Sequence, residues 1–246
     1  MIQIIQLKEV LRNKRFLLFT VFIPIVWYVM MTLTAKSGHF FTDTYGYIWF
    51  MASCLMGVAG NSIVTFSKRM NNGRRYYVLQ SKISHYTLWR FGLDQLVVQI
   101  ILNAMICLVV VICGIVLQTL LIDTHLLLAI LLVTTLGIYF SIIGFSLGLL
   151  LSGPVLDAIG FPIMIVIAIL IVPFSTIAHD GFVQIISTIQ MIFPGYHLYR
   201  ILLNLISGVS IQKPILYFFV SMIGTSLPFI WLTWLRVIKK TNALTV

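Results

Sequence analysis

DQLVVQIILNAMICLVVVICGIVLQTLLIDTHLLLAILLVTTLGIYFSIIGFSLGLLL, residues 94–151, is the stretch on which the fold turns. It contains two apolar runs, about 94–117 and 126–151, joined by a short polar loop from Gln118 to His125. Each run exceeds the roughly 20 residues that an α-helix needs to cross a bilayer core of about 30 Å. Upstream lie two further runs, about 16–35 (interrupted by Pro24) and 46–66, separated by the polar segment Lys36 to Thr44. Downstream, Ser152-Gly153-Pro154 reads as a helix break, and a tight connection through Asp157 leads to a fifth run at about 159–178. The last run, about 214–235, ends in Arg236, Lys239 and Lys240.

Composition agrees with this pattern. The 246 residues are 60% hydrophobic and 9% charged, against roughly 45–50% and 25% in soluble domains. A globule in water must cover itself with polar atoms, and this chain has too few. The expectation is a single all-α integral membrane domain over residues 1–246 with six transmembrane helices. Residues 2–15 set Ile4, Leu7 and Leu11 against Gln3, Lys8, Glu9 and Arg12 at near-helical spacing, which predicts a short amphipathic helix lying in the interface. With no small-residue cleavage site after it, the first span reads as a retained anchor. Cys54, Cys107 and Cys113 all fall in apolar runs without a CxxC pair and read as packing residues.

Residues 182–206 are apolar yet contain Gln184, Gln190, Pro194-Gly195, His197, Arg200 and Asn204. Charge distribution decides between a seventh span and something shorter. With six spans, thirteen of the sixteen Lys and Arg residues fall on one side, and only Lys36, Arg200 and Lys213 on the other. The positive-inside rule makes the first side cytoplasmic, with both termini there. A seventh span would send the C-terminal cations outward. The expected alternative is an outer re-entrant or interfacial pair of half-helices between spans 5 and 6, broken at Pro194-Gly195. The net charge of +10 is spread in blocks between spans, a topology signal rather than a nucleic-acid surface.

No Lys, Arg, His, Asp or Glu occupies the middle of a predicted span; Glu9, Asp43, Asp94, Asp123, Asp157 and Asp180 all stand at or beyond span ends. Intramembrane ionisable groups usually mark proton and ion relays, so their absence weakens a proton-driven carrier and an intramembrane hydrolase. There is no GxxxxGK[ST] phosphate loop. The five histidines are dispersed without an HExxH spacing, so no metal site is expected. Uphill transport would draw its energy from another subunit.

Small residues recur along two spans. Gly137, Ser141, Gly144 and Gly148 share a face of the fourth, and Ser53, Gly57 and Gly60 a face of the second. Such stripes let helix backbones approach closely; they serve helix packing, or line a dimer seam or translocation path. Pro162 and Pro173 bracket the fifth span as tethers or hinges. The 68–90 segment is the longest hydrophilic connection. It carries Lys68, Arg69, Arg74, Arg75, Lys82 and Arg90 with Tyr76, Tyr77, Leu79, Tyr86 and Trp89, and an Asn71-Asn72-Gly73 turn signal. An amphipathic helix there would enter a groove of a cytoplasmic partner or lie on anionic lipid.

This arrangement resembles the membrane subunit of ABC type-2 transporters, the exporter permeases of bacterial drug, peptide and lipid systems. The resemblance covers nearly the whole chain. It rests on the amphipathic segment 2–15, on MASCLMGVAGNSIVTFSKRMNNGRRYYVLQSKIS (51–84), similar to the family's second span and coupling loop, and on PFSTIAHDGFVQIISTIQMIFPGYHLYRILLN (173–204), similar to its outer re-entrant helices. The family often has an acidic residue beside the basic cluster, then Gly-Thr; this chain has Met70-Asn71-Asn72-Gly73-Arg74. The resemblance implies a multi-pass bacterial cell-membrane protein that binds no cofactor itself. It also implies a second permease chain (homodimer or heterodimer) and ABC ATP-binding subunits that hold ATP and Mg. Lys68, Arg69, Arg74, Arg75, Tyr76, Tyr77 and Lys82 would then form the ATPase-coupling loop. Cargo of that class is an amphipathic drug, antimicrobial peptide or lipid-like molecule. Two alternatives stand beside it: an autonomous channel or secondary carrier, and a lipid-modifying integral membrane enzyme using His179 and Asp180.

Overall fold

The computed structural model describes residues 7, 8, 10–14, 17–73, 88–172, 174 and 181–243. Among these the regular elements are all helical, and six helices are long and apolar enough to cross a membrane. α1 opens with a π-helical turn, Leu17–Phe22, and continues as an α-helix over Ile23–Ser37. α2 runs Asp43–Gly73 and contains a π-helical turn at Gly60–Thr65. α3 (Leu88–Val116) and α4 (Thr124–Leu150) form the helical hairpin expected from the two central apolar runs. α5 is Gly153–Ile171, and α8, the last, is Gln212–Ala243.

Between α5 and α8 lie two short helices, α6 (Gly181–Gln190) and α7 (Pro194–Ile206). At 1.5 Å per residue they reach only about 15 and 20 Å, too short to cross the roughly 30 Å hydrocarbon layer. The break sits at the expected place. Pro194 begins α7, where its missing N–H costs nothing.

Several boundaries differ from the sequence reading, among them the start of α3, at Leu88 instead of about 94. α2 continues through Asn71-Asn72-Gly73, which read as a turn, and so Lys68 and Arg69 are helical rather than in a loop. The extra turns are held from outside. Asn71 Nδ2 donates to the Leu151 carbonyl at 2.7 Å, at the end of α4, and Phe66 and Met70 pack on Phe91 of α3. Tertiary contact therefore overrides local turn propensity. The fifth helix also starts earlier than expected, at Gly153 instead of 159, and stops at Ile171 instead of 178. Ser152-Gly153-Pro154 launches a helix because proline's fixed φ suits its first turn. Pro162 lies inside α5, and Pro173 falls outside the described residues.

α2 is the hub. It contacts α1, α3, α4, α5 and α7. Its most apolar stretch is 78% buried, against 17% for α5 and 11% for α8, whose outer faces are apolar and exposed. The N-terminal segment docks on α3, with Leu7, Val10 and Leu11 against Val98 and Leu102, while Lys8, Arg12 and Lys14 stay exposed. At one end of the bundle, the α4–α5 turn is gripped by Asn71, by a Lys68–Asp157 ion pair at 2.5 Å, and by Arg236 on the Leu150 carbonyl. At the other end, Lys36 Nζ donates to the Leu117 carbonyl at 2.7 Å, and Asp123 caps α4 by accepting from the Leu126 N–H.

α4 lies close against α2 at two glycines. A Cβ built on Gly144 lies 1.9 Å from the Ser62 carbonyl oxygen, and one on Gly148 lies 2.5 Å from that of Ser67. Gly144→Ala is therefore expected to force the two backbones apart at a cost of about 1–3 kcal/mol or more. Gly224→Ala on α8, where a Cβ meets nothing within 4 Å, should leave stability unchanged or slightly raised. Thermal unfolding of both variants in detergent checks the contrast, and equal midpoints would refute the packing role of Gly144.

Candidate functional site

The interior of α2, α3 and α4 holds a cluster of uncharged polar side chains that the sequence reading passed over. Gln95, Gln99 and Asn103 recur at four-residue steps and so share one face of α3, and each is almost completely buried. Asn61 and Ser62 reach this face from α2, and Ser141 from α4. The signal was present in the quoted stretch. Amides at i, i+4 and i+8 in an otherwise apolar run cannot all face lipid, because an unpaired amide in hydrocarbon costs several kcal/mol.

The π turn makes the cluster possible. In an α-helix, adjacent side chains point about 100° apart and do not share a partner. Asn61 and Ser62 lie within the wider turn Gly60–Thr65, and both bond Asn103. Asn61 Nδ2 donates to Asn103 Oδ1 at 2.9 Å. Asn103 Nδ2 donates to Ser62 Oγ at 3.2 Å, and Gln99 Nε2 donates to the same oxygen at 3.1 Å. A hydroxyl accepts two such bonds and donates one, so the Ser62 proton turns to Asn103 Oδ1 at 3.4 Å, and Ser141 Oγ stands 3.3 Å from Ser62 Oγ. Ser141 gives its own proton to the Gly137 carbonyl at 2.7 Å. Two acceptors, Asn61 Oδ1 and Gln95 Oε1, are buried without a hydrogen-bond partner among the described residues.

Among the described residues one cation touches this network. Arg69 Nη2 donates to Gln99 Oε1 at 3.1 Å, and its guanidinium lies 5.0 Å from the centre of the Phe66 ring. Eight residues of α2, about 12 Å, separate Arg69 from Asn61. A line of hydrogen bonds therefore runs from the basic end of α2 toward its middle. Its members hold no proton that titrates near neutral pH. The arrangement can lock three helices together and pass on a displacement of Arg69; it cannot act as a general acid or base.

The residues singled out from the sequence are distributed as follows. Lys68 pairs with Asp157, and with 39% and 70% of the two side chains exposed the pair contributes about 0–1 kcal/mol. Arg69 turns inward as described. Arg74, Arg75, Tyr76, Tyr77 and Lys82 lie outside the described residues, as do His179 and Asp180. Gly137, Ser141, Gly144 and Gly148 all meet α2 or Asn103. The second small stripe divides its service: Gly57 faces Pro24 and Ile106, whereas Gly60 faces Met164 of α5. Ser53 is buried with its hydroxyl unpartnered. Pro194 and Gly195 are buried, and Gly195 sits against Leu170 and Ile171 at the end of α5.

Side-chain hydrogen bonds hold the turn before α7 in place. Gln190 Nε2 donates to the Ile169 and Val172 carbonyls at 2.6 and 2.8 Å, satisfying the open end of α5. Ser221 of α8 donates to the Ile192 carbonyl at 2.5 Å. His197 Nε2 is 2.8 Å from the Met191 carbonyl. Burial pushes the imidazole below its usual range, although the Met191 carbonyl opposes the shift. The ring is then neutral at pH 7, and Nε2 carries the proton it donates.

Asn103→Leu removes the partner of Asn61 Nδ2 and one of the two donors to Ser62, leaving buried polar atoms unpaired at about 1–3 kcal/mol each. The variant should unfold at lower temperature than Leu102→Val, a nearby loss of one methylene worth roughly 1 kcal/mol. A smaller loss for Asn103→Leu would show that the network does not hold the helices. No family model, curated protein or solved structure matches this chain.

Proposed function

We propose that this chain is the membrane-spanning permease subunit of an ATP-driven exporter of the ABC type-2 class, with no enzymatic activity of its own. The observation that carries the proposal is the polar line from Arg69 through Gln99 to Ser62, Asn103 and Asn61. It is an interior hydrogen-bonded path with a permanent cation at its basic end and no titratable group along it. Motion supplied at that end would reach the middle of the bundle, but no proton could be carried through it. A motor outside the bilayer suits such a path better than an ion gradient within it.

Charge supports the orientation. Lys68 and Arg236 meet at the α4–α5 turn, Arg69 lies one residue further along α2, and the basic N-terminal segment docks on α3. By the positive-inside rule this end is cytoplasmic, which sets both termini there and the α6–α7 pair outside as a re-entrant or interfacial cap. In this reading, nucleotide-driven closure of an ATP-binding partner pushes on the segment beyond Gly73, with Arg74, Arg75, Tyr76, Tyr77 and Lys82 as its contact surface. The push moves α2, and α3 and α4 follow. ATP and Mg stay on the partner, and a second permease chain completes the path. Cargo is an amphipathic drug, antimicrobial peptide or lipid-like molecule, and the setting is the bacterial cell membrane.

Affinity purification in mild detergent followed by mass spectrometry should recover a stoichiometric protein with a phosphate-binding loop. Replacing Arg74 and Arg75 together by alanine should weaken that association at least tenfold. Repeated purification of the chain alone, or transport by the chain in vesicles without ATP, would reject the proposal in favour of a channel or secondary carrier. Cysteine labelling in whole cells gives an independent check. Positions 74 and 82 should react only after the membrane is permeabilised, and reaction from outside would remove any cytosolic motor from contact.

A further inference from the structure

Helix α5 is attached to the bundle on one side only. It rests on α2, α6 and α7 and makes almost no contact with α4, its neighbour in sequence, or with α8. Between α4, α5 and α8 a partly enclosed cavity of about 230 Å³ remains, roofed by Phe193, Pro194 and Gly195. On α5 its wall is Ile163, Ile167 and Leu170, spaced so that they share one face. The opposite surface of α5 carries Phe161 and Ile165, exposed by 74% and 47%. Those residues meet bilayer hydrocarbon if α5 spans, so the medium beside the cleft is acyl chain rather than water.

Three features of the cleft define its occupant. The first is chemistry. Its two polar side chains are already spent: Tyr139 and Thr225 hydrogen-bond each other at 2.9 Å, and Thr225 also bonds the Ser221 carbonyl. The lining therefore asks for no hydrogen bond. The second is size. Sites for drug-sized molecules take about 300–1,000 Å³. A cavity of 230 Å³ is smaller than these. The third is shape. The wall runs from Tyr139 to Leu147 on α4 and from Ile163 to Ile171 on α5, eight residues or about 12 Å in each case. An apolar slot of that length suits an extended hydrocarbon chain lying along the two helices.

We propose that this cleft seats one acyl chain of a membrane phospholipid, which completes the packing of α5 against α4 and α8. A void here would strip the lining of partner atoms on one side and forfeit their dispersion contacts. A chain from the adjoining leaflet restores them without dehydrating any polar group. The site takes the hydrocarbon alone, with the headgroup left at the membrane surface, and it is independent of what the protein transports.

The test uses the full-length chain reconstituted in vesicles of phosphatidylethanolamine and phosphatidylglycerol, with a trace of phospholipid bearing a diazirine near the end of one acyl chain. After irradiation, digestion and mass spectrometry, peptides with Ile143, Leu147 and Ile167 should carry at least threefold more adduct than Phe161 or Leu131 on the outward faces. Ile167→Trp fills the cleft and should reduce cleft adducts at least fivefold with the Phe161 adduct unchanged. Cleft labelling no higher than at Phe161 in the wild-type chain would overturn the proposal without recourse to any variant. A photo-crosslink from residue 167 to a second copy of the chain would overturn it as well, in favour of a protein interface.

Discussion

The centre of a bilayer offers no water, so each polar atom carried into it has to find its partner within the protein. That constraint organises this molecule at two levels. For the backbone it imposes helices, whose hydrogen bonds close within each segment. For side chains it gathers Asn61, Ser62, Gln99, Asn103 and Ser141 into one cluster, because each amide and hydroxyl is otherwise stranded. The same demand accounts for the grip on the α4–α5 turn and for Gln190, which satisfies carbonyls at the end of α5.

Satisfying those atoms requires close helices, and lipid supplies no hydrophobic drive to bring helices together. Contact has to come from shape. Gly144 and Gly148 let α4 rest on the bare backbone of α2, and Gly57 does the same for α1 and α3. Where α5 has fewer such residues turned toward α4 or α8, a cleft remains. Tight packing on one side of the hub and loose packing on the other thus follow from where side chains are absent. The inner network and the outer cleft are two consequences of one rule.

The six spans, the hairpin of α3 and α4, and the break at Pro194 were legible from residue types alone. Each depends on runs of apolar residues or on a proline, and such signals act over one or two turns. The sequence reading failed where distant partners intervene. Asn71-Asn72-Gly73 is a turn by local preference, yet it is helical because the Leu151 carbonyl and the Phe91 ring lie beside α2. Arg69 read as one cation of a cytoplasmic loop, yet it bonds Gln99 thirty residues away. The amide face of α3 was visible as a spacing, but its partners were not.

By itself the sequence determined that this chain is helical, with six segments long and apolar enough to cross a membrane, because length and apolarity along one segment settle whether its backbone can live without water. Tertiary structure alone decided that α2 is the hub, that a π turn aims two adjacent side chains at Asn103, and that α5 stands partly away from its neighbours. Those features arise from which surfaces meet in three dimensions, and composition along a single helix carries no information about the surface opposite.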